Sequence, residues 1–108
     1  MSEIVLVVDL VAATGKADEL VAAFEACIGE THLEPGCLTY ALHRDNANPD
    51  HFVHLERWAS QADLDAHMTQ PYVGALFAAV GADGVLATAP QMSFTSSLAL
   101  GDPAKGSL

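Results

Sequence analysis

Residues 4–11 form an apolar run that is hydrophobic on both parities of a β-strand. The run reads Ile-Val-Leu-Val-Val-Asp-Leu-Val, is rich in β-branched residues and is interrupted only by Asp9. A strand with one face in water alternates apolar and polar residues, so this run indicates a strand that is covered on both faces. The fold must therefore supply a cover for each face of this strand.

The rest of the chain predicts a β-α-β-β-α-β order. The first helix opens at Thr14-Gly15, with Thr14 as its N-cap, and ends at Pro35-Gly36. The second helix starts at a capping box, is interrupted after Gln70 by Pro71 and ends at Gly81. Strands are predicted at 4–11, 37–44, 51–58 and 91–98.

This order is that of a ferredoxin-like α+β fold, with a four-stranded antiparallel sheet and both helices on one face. We expect a single domain over residues 1–100 and a frayed C-terminal tail over 101–108. The other face of the sheet would expose Val5, Val7 and Val11. A patch of that kind predicts a homodimer joined sheet to sheet.

Charge and composition exclude several partners. The chain has 14 acidic residues against 4 Lys and Arg, a net charge of −10, and its bases are scattered singly. We therefore expect neither nucleic-acid binding nor adhesion to an anionic membrane. Residues 4–11 are too short to span a bilayer and lack a basic flank, and Cys27 and Cys37 lack disulfide or zinc spacing. These features predict a cytoplasmic protein with free thiols.

His67 is the main candidate for chemistry. It lies on the apolar stripe of the second helix beside Leu64 and Met68, so its imidazole should face the sheet and could act as a general base. A core histidine bonded to Glu56 or to a backbone carbonyl is the alternative. Glu56 itself either forms a buried ion pair with Arg44 or Arg57, which we favour, or orients His67.

Aromatic residues and two further histidines complete the candidate site. His43 and His54 are predicted as polar groups of the sheet, and His51 should point to the face opposite His54. The aromatic residues between 40 and 77 suit a flat, apolar ligand, although ordinary core packing would also explain each one. They are Tyr40, Phe52, Trp58, Tyr72 and Phe77.

No nucleotide-binding glycine motif, no G-x-S-x-G elbow and no metal-ligand spacing is present in the sequence. We therefore expect a site that works without a bound cofactor or metal.

Four segments resemble the antibiotic biosynthesis monooxygenase (ABM) family. They are Glu34-Pro35-Gly36 with Tyr40, Leu42-His43-Arg44-Asp45, Phe52-x-x-x-Glu56-x-Trp58, and Ala66-His67. The resemblance covers essentially the whole chain. It implies a dimeric α+β barrel with a pocket between helices and sheet, and an enzyme that oxidises quinols with O₂ without metal, flavin or haem. Within the motif, Tyr40, Phe52, Glu56, Trp58 and His67 stand at recurring positions.

The family also includes haem-degrading members, and the resemblance does not favour that activity here. Phe77 stands near the place of the haem-ligating histidine of those members, and Val8 replaces their polar Asn on the first strand.

Three hypotheses follow. The first is cofactor-free oxygenation of a quinol or polycyclic phenol, with His67 as the base, Glu56 or His43 tuning it, and Tyr40 and Trp58 holding the ring. In it, His54, Phe52, Tyr72 and Phe77 also contact the substrate. The second is an isomerase or other non-oxidative enzyme acting on a small carbonyl compound. The third is a ligand-binding or stress-response module without chemistry.

Overall fold

The computed structural model describes residues 3–108 and confirms the predicted order of elements. The interruption at Pro71 divides the second helical segment into two helices. The elements are β1 (Ile4–Val11), α1 (Ala17–His32), β2 (Cys37–Arg44), β3 (His51–Trp58), α2 (Gln61–Met68), α3 (Pro71–Val80) and β4 (Gln91–Thr95).

The four strands form one antiparallel sheet in the order β2-β3-β1-β4. The register places His54 opposite Val8 on one side and opposite Leu42 on the other. Glu56 likewise lies between Leu6 and Tyr40. With α1, α2 and α3 added, this is the predicted ferredoxin-like α+β fold.

One face of the sheet forms the core, and the burial of β3 shows which. Its residues alternate between half-buried and buried, and the buried set is Phe52, His54, Glu56 and Trp58. The face that carries this set is covered by the helices, since α1 packs on β2 and α3, and α2 packs on β3. Two polar side chains, His54 and Glu56, are therefore fixed inside the core by strand parity alone.

The first helix begins later than the sequence predicts. Thr14 and Gly15 form a turn, α1 starts at Ala17, and Lys16 is the N-cap without a side-chain hydrogen bond. Gly15 has φ of +81°, a left-handed conformation that a glycine adopts without strain. Thr14 as N-cap was therefore wrong, because the chain needs this turn before the helix can start.

The C-terminal part also differs from the prediction. Strand β4 ends at Thr95 rather than at residue 98. Residues 102–106 form a turn closed by backbone hydrogen bonds to Asp102, and Ser107 contacts Ser97. The tail thus folds back beside the end of β4.

The sheet face away from the helices carries the other parity of β1 and β3. Val5, Val7 and Val11 lie there with Val53 and Leu55, and all five are half-buried. We call this surface the open face. No helix within residues 3–108 has the length and apolar character needed to cross a membrane.

Candidate active site

A cavity lies between the core face of the sheet and the helices α2 and α3. Its lining is apolar except for Tyr40, His54, Glu56 and His67. The cavity has a volume of about 50 Å³, and the free space that also includes its open mouth is about 510 Å³. The inner part therefore has room for only a few water molecules.

His67 reaches this cavity from the last turn of α2 and is 2% exposed. Its Nδ1 lies 2.7 Å from Oε2 of Glu34, and the same oxygen accepts a hydrogen bond of 2.7 Å from the Tyr72 hydroxyl. A carboxylate beside Nδ1 keeps the proton on that nitrogen. The lone pair of the neutral ring is then on Nε2, which is the nitrogen available to a ligand.

Tyr72 lies on α3 and donates its hydroxyl proton to the same carboxylate oxygen of Glu34 that His67 contacts. Burial raises the pKa of the Tyr72 phenol, and the hydrogen bond to Glu34 raises it further. The phenol therefore stays protonated and donates to the carboxylate at neutral pH. Glu34 is held by two donors and cannot turn away from His67 without losing both.

A second imidazole–carboxylate pair lies on β3. Nδ1 of His54 lies 3.2 Å from Oε2 of Glu56, and Oε1 of Glu56 accepts a hydrogen bond of 2.9 Å from the Trp58 indole. His54, Glu56 and Trp58 are two residues apart in turn, so they share one face of the strand. The Trp58 ring also packs against His67, with ring centroids 4.5 Å apart.

Tyr40 lies between the two imidazoles. Its ring centroid is 4.3 Å from that of His54 and 5.5 Å from that of His67, in edge-on geometry. Its hydroxyl lies 3.8 Å from the Cys27 sulfur, on the α1 side. Burial raises the pKa of the Tyr40 phenol, with a further contribution from the charge of Glu56. Tyr40 is therefore a neutral wall of the cavity.

The structure brings part of the predicted site together. Tyr40, His54, Glu56 and His67 all line the cavity, and Phe77 lies at its mouth, 48% exposed. Trp58 and Tyr72 lie one layer behind it, in contact with His67 and with Glu34. Neither residue lines the cavity. Trp58 packs against His67, which does, and Tyr72 holds the carboxylate of Glu34 that binds His67.

Phe52 and His43 lie elsewhere. Phe52 packs under the Arg44 guanidinium, 4.8 Å from its ring centroid, and lines a groove beside α1. His43 pairs with Val53 on the open face and is exposed. The sheet separates His43 from the cavity, because strand parity turns it to the opposite side from Leu42.

The expected ion pair of Glu56 with an arginine was wrong. Arg57 has the opposite parity on β3 and binds Glu3 at 2.8 Å, and Arg44 covers Phe52. The partners of Glu56 are His54 and Trp58 instead. The alternative in which Glu56 bonds His67 was also wrong, since the carboxylate on His67 belongs to Glu34.

Glu34 is the site residue that the sequence interpretation missed. It stands 33 positions before His67, and only the fold brings them together. The one signal was its place in the Glu-Pro-Gly segment at the end of the first helix. By contrast, the grouping of His54, Glu56 and Trp58 could be read from their common parity on a predicted strand.

The sequence model of the antibiotic biosynthesis monooxygenase family matches residues 3–79. The match includes β1 to α2 and nearly all of α3, and so every residue of the two imidazole–carboxylate pairs. The chain belongs to this family. As an ABM protein it shares the family's fold, while the reaction of this chain has to be argued from its own site.

Solved structures agree with this assignment. A Caulobacter crescentus CB15 protein that carries the ABM name is 30% identical, with 90% of this chain and 91% of that chain covered and a TM-score of 0.82. Rv0793 from Mycobacterium tuberculosis is 25% identical over 90% of this chain and 96% of its own, with a TM-score of 0.82. A Nitrosomonas europaea protein of the same family name is 18% identical, covers 90% and 91%, has a TM-score of 0.83, and shows the fold alone.

A sequence relative of this ABM chain is uncharacterized protein sll1783 from Synechocystis. It is 33% identical over 57 residues, which are 53% of this chain and 39% of that protein. The chain thus matches less than half of that relative's length.

Among residues 3–108, no three His, Cys, Asp or Glu side chains are grouped as metal ligands would be.

Proposed function

We propose that this ABM protein is a monooxygenase that oxidises a quinol or polycyclic phenol with O₂ and needs no bound cofactor. The strongest support for this is the setting of His67. Its imidazole is buried beside an apolar cavity, and its Nδ1 is held by the carboxylate of Glu34. With Nδ1 held by the carboxylate, the other ring nitrogen, Nε2, can accept a proton from the hydroxyl of a bound ring.

Deprotonation is the step that the protein has to supply. The proton of the substrate hydroxyl passes to Nε2 of His67, and the carboxylate of Glu34 stabilises the imidazolium that forms. The resulting quinol anion is itself the reductant of O₂. One oxygen atom enters the ring and the other leaves as water, so quinol and O₂ give a hydroxyquinone and water without an external electron donor.

The cavity suits this chemistry because it holds little water. Its apolar walls would exclude bulk solvent from the anion and from oxygen intermediates once a ring is bound. A bicyclic ring needs more space than the inner cavity offers. The mouth residues Met68, Phe77 and Met92 are each more than a third exposed, and the two methionine side chains are flexible enough to move aside.

The test measures O₂ consumption with a menadiol-type quinol, with non-enzymatic oxidation subtracted. We expect wild-type protein to consume O₂ in proportion to product, and His67→Ala to lower kcat by about 100-fold or more. His51→Ala, a histidine of the open face, is the matched control and should retain the wild-type rate. Equal rates in wild-type and His67→Ala protein would contradict the proposal.

An isomerase is the second candidate, favoured by the presence of two carboxylate-bound imidazoles at one cavity. Two such bases could remove a proton at one carbon of a carbonyl compound and return it at another. This reaction would proceed without O₂ and would introduce solvent deuterium into the substrate. Turnover of the quinol that stops when O₂ is removed would exclude it for that substrate.

A further inference from the structure

The contact between His67 and Glu34 joins two separate spaces of the protein. The imidazole of His67 lines the cavity, whereas Glu34, whose Oε2 lies 2.7 Å from Nδ1 of that ring, lines a hollow on the protein surface. This outer hollow has a volume of about 330 Å³, enough for several water molecules, and shares no lining residue with the cavity. The two side chains therefore bridge the wall between the cavity and solvent.

Both ends of this bridge carry an atom that is free to act. Nε2 of His67 and Oε1 of Glu34 make no hydrogen bond among the described residues, yet neither belongs to the buried side-chain atoms that lack a partner. Both atoms therefore have accessible surface. The space beside the His67 ring is the cavity, and the space beside the Glu34 carboxylate is the outer hollow.

The other polar groups of the cavity lead only to buried groups. The carboxylate of Glu56 accepts its hydrogen bond from the indole of Trp58, which is completely buried. The hydroxyl of Tyr40 lies 3.8 Å from the sulfur of Cys27, which is buried as well. Within residues 3–108, His67 is thus the lining residue whose side-chain hydrogen bond leads out of the cavity to the surface.

We propose that Glu34 is the proton relay of this site, which passes protons between His67 and water in the outer hollow. The relay rests on the proposed function, in which His67 takes a proton from the bound ring. A ligand that fills the cavity covers Nε2 and blocks the mouth. The proton of the imidazolium can then reach solvent only from Nδ1, and the atom beside Nδ1 is Oε2 of Glu34.

The relay moves protons and transfers no electrons. The imidazolium gives the proton on Nδ1 to Oε2 of Glu34, and the carboxylic acid that forms gives it to water in the outer hollow. The neutral ring keeps the proton of the substrate on Nε2. Later, Nε2 gives this proton to the oxygen atom that leaves as water, while Nδ1 takes a proton back through Glu34. The hydrogen bond from the Tyr72 hydroxyl to Oε2 holds the carboxyl group in place throughout.

Replacing Glu34 by alanine separates proton transfer from the effect of charge. The variant Glu34→Ala lacks the carboxylate and leaves a gap between His67 and the outer hollow, which a small planar anion can enter. Formate and nitrate have the same charge and similar sizes, but formate accepts a proton readily, whereas nitrate is the anion of a strong acid and does not. O₂ consumption with the menadiol-type quinol is measured in each salt at equal ionic strength.

We expect formate at about 0.2 M to raise the kcat of Glu34→Ala about tenfold, because it restores a proton acceptor beside Nδ1. Nitrate should change this kcat by less than about twofold, since it restores only the charge. Glu34→Gln fills the gap and is the matched control, so neither salt should raise its rate. Glu34→Ser opens the same gap and allows the same comparison if the alanine variant does not fold.

Three results would overturn the relay and leave the proposed oxygenation standing. Equal rescue by formate and nitrate would mean that the carboxylate acts through its charge alone. The other two are a lack of rescue by formate in the truncated variants and an equal rescue of Glu34→Gln by formate. A wild-type protein that consumes no O₂ would contradict the proposed function and the relay with it.

Discussion

At the scale of single residues, the site consists of two imidazoles whose Nδ1 atoms face carboxylates. Glu34 serves His67 and Glu56 serves His54, and each carboxylate is held by a further donor, Tyr72 or Trp58. The same arrangement thus occurs twice. The pair of Glu34 and His67 joins residues far apart in the chain and could not be predicted from their spacing. The pair of Glu56 and His54 joins alternate residues of β3, so their spacing predicts that they share one face of the strand.

Replacing the carboxylate of Glu34 tests how much His67 depends on it. Glu34→Gln keeps the size of the side chain but removes the charge that stabilises the imidazolium, so kcat should fall by about 10- to 100-fold with little change in KM. Steady-state O₂ consumption measures both constants. Glu30→Gln changes an exposed carboxylate in the last turn of α1 and should behave as wild type. An unchanged kcat in Glu34→Gln would show that His67 needs no carboxylate.

A third carboxylate–imidazole group lies on the open face, where a pH dependence is expected. Nδ1 and Nε2 of His51 lie 2.8 Å from Asp45 and 2.9 Å from Asp9. The hydrogen bond to Asp45, followed by that to Asp9, raises the pKa of His51, and the hydrogen bond to His51 lowers the pKa of Asp45.

The sign of the effect on stability follows from these directions. The contribution of His51 is complete below its ordinary pKa of 6.5 and is lost as the pH rises through the raised value. That of Asp45 is complete above its ordinary 3.8 and is lost as the pH falls through the lowered value. The pair therefore stabilises the fold most between these two ordinary values.

NMR titration of the His51 ring checks this. We expect a midpoint above 6.5 in wild-type protein and a lower midpoint in Asp45→Asn, because the main hydrogen-bond partner loses its charge. Asp50→Asn, in the same turn, should leave the midpoint unchanged. A wild-type midpoint at or below 6.5 would mean that the two carboxylates do not hold the ring in solution.

At the scale of elements, the turn from α1 to β2 fixes the position of His67, because residues of this turn contact both His67 and α2. Glu34 lies two residues after the end of α1 and contacts His67. Gly36 passes so close to Asp63 on α2 that an added Cβ would overlap the Asp63 side chain. The Glu-Pro-Gly segment thus joins α1, β2 and α2 at one point. Ser60 caps α2 there by accepting a hydrogen bond from the Asp63 backbone N–H.

Gly36→Ala should therefore displace α2 and, with it, His67. Overlap of this kind costs about 1–3 kcal/mol of unfolding free energy, and kcat should fall along with stability. Gly74→Ala is the matched control, because a Cβ at this exposed position of α3 meets no atom within 4 Å and alanine favours a helix. Chemical denaturation measures both variants. Equal stability of Gly36→Ala and wild type would contradict the close packing of turn and helix.

The elements themselves could largely be predicted, and the errors have local causes. β1, β2 and β3 have the predicted bounds, because apolar alternation and turn residues define them without help from the fold. Thr14 failed as an N-cap because the chain turns once more at Gly15 before α1. The partners of Glu56 were wrong because Arg57 has the opposite parity, which a closer reading of β3 would have shown.

At the scale of the whole molecule, the open face is the feature that a single chain leaves unexplained. Val5, Val7 and Leu55 lie on this face and are half-buried. The folded-back C-terminal tail lies beside only one part of the face, next to Val5. Burying about 800 Å² on each of two chains, at about 25 cal/mol per Å², far outweighs any surface ion pair. We therefore propose a homodimer joined through this face.

Light scattering on the eluted protein tests the dimer. We expect twice the chain mass at micromolar concentration and the mass of a single chain for Leu55→Glu, which would place a charge in the centre of the interface. Leu33→Glu is the control, since Leu33 is 82% exposed at the end of α1 and should leave the mass unchanged. A wild-type protein that elutes with the mass of one chain would contradict the dimer.

The most direct measurement of the proposed function is the fate of molecular oxygen. Wild-type protein, treated with a chelator and freed of bound small molecules, is given a naphthoquinol under ¹⁸O₂, and the product is analysed by mass spectrometry. We predict a hydroxyquinone with one ¹⁸O atom in the new hydroxyl group, and loss of this product in His67→Ala. A product without ¹⁸O, or labelled product at the same rate in His67→Ala, would contradict oxygenation by His67 in this cavity.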